Sequence, residues 1–102
     1  MTLTQEEIQF NRRLAVERLR LNPAAHRQIT GSLTDKTDGY CAVGELGEAF
    51  HCSPKVRGSG VVYKTVEKKL GLTSTTLIFR MNDSGRTLVE IADKLAKLWK
   101  IE

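Results

Sequence analysis

The chain has 102 residues and a mass of 11.4 kDa, enough for one domain over residues 1–102 and not two. Its 40% hydrophobic and 27% charged content is a globular balance that excludes the disordered class, and no apolar run nears the ~20 residues a membrane helix needs. Two cysteines are too few for a disulfide framework, and residues 1–7 lack the basic and greasy regions of a secretion signal. The expectation is a cytoplasmic protein with free thiols, no cofactor and no membrane partner.

Residues 4–21 read as a helix, with Thr4 as cap, Glu6 and Glu7 at its positive end, and Asn22–Pro23 as its stop. Its apolar side chains fall on two faces. Ile8, Ala15 and Leu19 share one, while Phe10, Leu14 and Leu21 lie nearly opposite. One stripe is enough for a surface helix, so the second is expected either to be sandwiched within the domain, the preferred reading, or to meet another subunit.

Residues 27–40 mix β-branched residues with turn formers and predict a short β-hairpin or irregular insertion. A helix follows over residues 40–50, capped near Thr37 or Asp38. Gly44 and Gly47 lie three apart within it. Glycine costs roughly 1 kcal/mol in a helix interior, so a backbone passing close to them is expected. Residues 53–60 have the composition of a flexible loop. Val62, Tyr63, Val66 and Leu70 then line a helix that Gly71 ends.

Residues 74–81 have strand propensity but a helical placement of Leu77, Ile78 and Met81, with Thr73 as cap; helix is preferred. Asn82-Asp83-Ser84-Gly85 signals a turn. Thr87 and Glu90 form a capping box for the last helix, striped by Leu88, Ile91, Ala92, Leu95, Leu98 and Trp99. The predicted fold is mainly α, about four helices with the insertion between the first two.

The net charge of +4 is concentrated in residues 55–79, where Lys55, Arg57, Lys64, Lys68 and Lys69 face only Glu67. That stretch is the candidate for anion or nucleic-acid binding, although a solvated helix face with a basic last turn is the preferred account. The sequence around Gly58 and Lys64 lacks the glycine-lysine pair of a phosphate loop.

Cys41 opens the second predicted helix, where dipole and free amides lower a thiol pKa. Glu45 and Glu48 on the same side oppose that, and a thiol nucleophile needs a base. His51 lies at the far end of the same helix and His26 in no motif. A buried cysteine and exposed histidines are expected, with no catalytic set. The spacing of Cys41, His51 and Cys52 matches no zinc pattern, so no metal is expected either.

Taken together, Gly39-Tyr40-Cys41, Gly44 and Leu46, then Gly71-Leu72-Thr73, then Asn82-Asp83, Gly85-Arg86-Thr87 and Glu90-Ile91 resemble a group of small phage and actinobacterial proteins with no established activity. The likeness spans residues 26–96, with departures at Ala42 and Glu45. It implies helix for residues 74–81, and one structural joint of Cys41, Gly44, Asn82 and Asp83. The function expected is a non-catalytic protein-protein interaction module, phage-encoded and acting on a host or defence protein, or pairing with itself as a homo-oligomer through Phe10, Leu14 and Leu21. Nucleic-acid or nucleotide binding through residues 55–69, and a cysteine enzyme centred on Cys41, are the alternatives.

Overall fold

The computed structural model describes residues 2–21 and 26–101. The elements in order are α1 (Gln5–Leu21), β1 (Arg27–Gln28), β2 (Gly39–Tyr40), α2 (Ala42–Ala49), α3 (Ser59–Leu70), α4 (Thr76–Asp83) and α5 (Leu88–Leu98). The expected helix stop at Asn22–Pro23 lies outside the described residues. The chain is mainly α with a short strand insertion, as its periodicities predict.

α1 starts with a reciprocal cap. Thr4 Oγ1 accepts from the Glu7 amide at 3.1 Å and the Glu7 carboxylate accepts from the Thr4 amide at 2.9 Å. Its inner face buries Ala15, Val16 and Leu19 and packs on α5, α2 and α3. Phe10, Leu14 and Leu21 are not sandwiched: they stay exposed, which corrects the intramolecular reading of the second stripe.

The insertion is a parallel pair, with Arg27 opposite Gly39 and Gln28 opposite Tyr40. The other edge of β2 closes back on its own loop through an antiparallel bridge between Thr34 and Tyr40. Asp35 organises that loop, accepting from the Thr37 hydroxyl at 2.7 Å and from the amides of Thr37 and Gly39 at 2.9 and 3.0 Å. The Thr37 bonds, foremost, hold its carboxyl well below the usual range.

Because Gly39 and Tyr40 are spent on the strand, α2 starts later than its sequence suggests. Its cap is Cys41, whose Sγ accepts from the Gly44 amide at 3.4 Å, and not Thr37 or Asp38. The two glycines of α2 have the expected cause. A Cβ on Gly44 would run into the Leu33 carbonyl, and one on Gly47 would meet Val62 and the Cys52 carbonyl.

Of the loop expected over residues 53–60, Ser59 and Gly60 already belong to α3. α3 ends in a Schellman turn, with Gly71 at φ 65° and the Leu72 amide donating to the Glu67 carbonyl at 2.9 Å. Residues 76–83 are helical. The β-branched run before them serves as the entry: Ser74 Oγ accepts from the Thr76 amide at 3.0 Å, and the N-cap is Thr75, not Thr73. Asn82 and Asp83 close α4 instead of forming the turn, which passes to Ser84 and to Gly85 at φ 94°. The Thr87–Glu90 capping box opens α5, whose stripe is buried except for half-exposed Leu98 and partly exposed Trp99. No helix among the described residues is long and apolar enough to cross a membrane.

Candidate functional site

Asn82 is the polar centre of the interior. It is 1% exposed, and α4 presents it to two other segments. Its Oδ1 accepts from the Ala42 amide at 3.0 Å and from Gln28 Nε2 at 2.9 Å, and its Nδ2 donates to the Ile29 carbonyl at 2.7 Å. One amide thereby joins the first turn of α2 to the end of β1. Asp83 reaches outward and accepts from the Gly31 amide at 3.1 Å. The structure therefore brings Asn82 and Asp83 to the residue 28–42 segment that contains Cys41, with Gly44 further along α2 against Leu33.

Cys41 is buried. Burial, foremost, pushes its thiol up, against the lowering effect of the Gly44 and Val43 amides. His26 is not exposed as expected. Its Nδ1 sits 2.8 Å from Glu45 and its ring stacks on Tyr40 at 4.3 Å between centroids. Among the described residues no hydrogen bond joins either histidine to Cys41, and no three His, Cys, Asp or Glu side chains are grouped to hold an ion.

The five candidate cations of residues 55–69 do not share one face. Lys55 Nζ lies over the Tyr40 ring at 5.5 Å. Arg57 lines a hollow with the residue 31–36 loop, and Lys64 lines the groove between α3 and α4. Lys69 faces Glu6 and Glu7 of α1, and Lys68 is exposed. A helix that turns 100° per residue disperses charges that the linear sequence groups.

The apolar surface left over is clearest on α1. Phe10, Leu14 and Leu21 are 63, 37 and 71% exposed, on the side facing away from Ala15, Val16 and Leu19. Two features escaped the sequence. One is the buried cluster of Glu45 with Arg18 and His26, signalled only by a lone carboxylate inside an apolar run. The other is the α3–α4 groove, floored by Tyr63 and Phe79, whose helices are joined by a connection that periodicity alone does not orient. No protein-family profile, curated protein or solved structure matches the chain.

Proposed function

We propose that the chain is a non-catalytic interaction module that docks through the outer stripe of α1, and that a second copy of the chain covers this stripe. The exposure of Phe10, Leu14 and Leu21 along one line of a helix whose other face is core carries the reading. With Glu17 they follow the 4-3-4 spacing of a helix-pairing seam.

Charge selects the partner. The first turn of α1 is acidic (Glu6, Glu7) and its last turn basic (Arg18, Arg20), with Arg18 held by Glu45 and Arg20 by Asp93 within the chain. Antiparallel pairing with Phe10 opposite Leu14 brings Glu6 of one copy beside Arg20 of the other, where it joins the Arg20–Asp93 pair made within the chain. The same register places Glu7 against Glu17, which opposes association. With so few apolar anchors the interface falls below ~1,200 Å² and is transient.

Sedimentation velocity on variants tests this. Glu17→Leu replaces the opposing charge with a seam residue and tightens the dimer by about tenfold or more; Leu14→Asp abolishes it. Variants that sediment identically to the parent at every concentration contradict the reading.

A further inference from the structure

Two hollows have Tyr63 as a common lining residue. The first, about 870 Å³, opens between α3 and α4, a size typical of small-ligand sites. Its floor is Tyr63 and Phe79, with ring centroids 6.3 Å apart and planes tilted by 54°. Its polar end is Ser74, Thr75 and Thr76. The second hollow, about 420 Å³, runs from Tyr63 to Lys36 and Arg57, and no carboxylate lines it.

The charges around the pair are unequal in what they are free to do. Glu67 and Asp83 line the first hollow, and each accepts one backbone amide while keeping its charge. Glu67 accepts from the Thr75 amide at 3.3 Å and Asp83 from the Gly31 amide at 3.1 Å. On the other side, Lys64, Arg80 and Arg57 form no ion pair among the described residues. Lys36 gives one proton to the Pro54 carbonyl at 3.3 Å and keeps two. Lys36 and Arg57 therefore border the second hollow with no carboxylate opposite them, while Lys64 and Arg80 border the first together with Glu67 and Asp83.

We propose that the two hollows on either side of Tyr63 together bind a small aromatic anion. Its flat ring lies against Tyr63 and Phe79 between Lys64 and Arg80, and its carboxylate or phosphate points toward Lys36 and Arg57. The aromatic floor selects the ring, through offset or edge contacts. The cations select the charge, because a neutral apolar ligand strips water from them and returns no hydrogen bond. A cationic group in the second hollow meets Lys36 and Arg57 with no carboxylate to offset them. None of these residues lies on α1, so the site and the α1 docking face stand or fall separately.

Amide-resolved NMR titration of the full chain tests the assignment, using adenosine 5′-monophosphate and 2-naphthoate, with adenosine and 2-naphthalenemethanol as their neutral counterparts. The expected result is saturable binding of an anion with Kd below about 1 mM, with shifts grouped at residues 31–36, 57–64 and 74–80. The neutral counterpart binds about tenfold more weakly or worse, and so does the anion to the variant Arg57→Gln/Lys64→Gln/Arg80→Gln. Binding of the monophosphate alone identifies phosphate as the group taken, binding of naphthoate alone a carboxylate, and binding of both the shared chemistry. No saturation by either anion at about 10 mM, equal affinity for a neutral counterpart, or an unchanged affinity in the triple variant overturns the proposal. The charged-against-neutral comparison needs only the parent chain, so it decides the matter even if the variant does not fold.

Discussion

The carboxylate of Glu45, with no exposed surface, sits 2.8 Å from the Arg18 guanidinium, so α1 and α2 are joined by an ion pair inside the domain. His26 closes the other side of the same carboxylate. Removing one member leaves a buried charge with less compensation than folding requires. Arg18→Met is expected to destabilise the chain by about 3–5 kcal/mol, read from urea unfolding. A loss near zero would mean that His26 alone satisfies Glu45.

The Asn82 side chain bonds to Ala42, Gln28 and Ile29. Asn82→Ala strands a backbone amide and a carbonyl in the interior and is expected to cost about 3 kcal/mol. Asn82→Asp keeps the acceptor and loses the donor to Ile29, so it also destabilises. Equilibrium denaturation of both variants checks this, and a near-neutral alanine variant would deny Asn82 its place as the joint.

Two glycines with the same chemistry predict opposite signs. Gly44→Ala drives a methyl into the Leu33 carbonyl and is expected to lose about 3 kcal/mol through backbone displacement. Gly60, in the first turn of α3, has open space where its Cβ would be. Gly60→Ala is expected to gain about 0.5–1 kcal/mol. Thermal denaturation of the pair separates them.

Burial raises the Cys41 thiol above its ordinary value. The neutral thiol is the form the fold accommodates, so its contribution to stability is complete below the unfolded value of about 8.5 and is lost as pH rises through the higher folded value. Alkylation of Cys41 in the native chain is expected to stay slow at neutral pH and to proceed on unfolding, followed by mass spectrometry. Rapid native labelling at pH 7 would place the thiol in an activating environment and reopen the cysteine-enzyme reading.

Local signals made much of this fold legible. The Thr87–Glu90 box, the Gly71 stop and the helical spacing of Ile78 and Met81 are encoded within a few residues of where they act. The glycine pair in α2 announced a close backbone, though not that Leu33 supplies it. What the sequence withheld depends on contacts between distant segments. The Cys41 cap follows from Gly39 and Tyr40 being taken by a parallel strand, which no hairpin pattern suggests. His26 is drawn inward by Glu45, 19 residues away, and the basic run is divided between the loop that holds Lys55 and Arg57 and the faces of α3. The second stripe of α1 was visible as a pattern, but whether it lay inside or outside depended on which helices packed around it.

The most direct measurement is the molar mass of the wild-type chain by light scattering, from about 10 μM to about 1 mM. The account predicts 11.4 kDa at the dilute end, rising toward twice that value with concentration, while Leu14→Asp stays at the monomer mass throughout. A wild-type mass fixed at the monomer value across the whole range would contradict it.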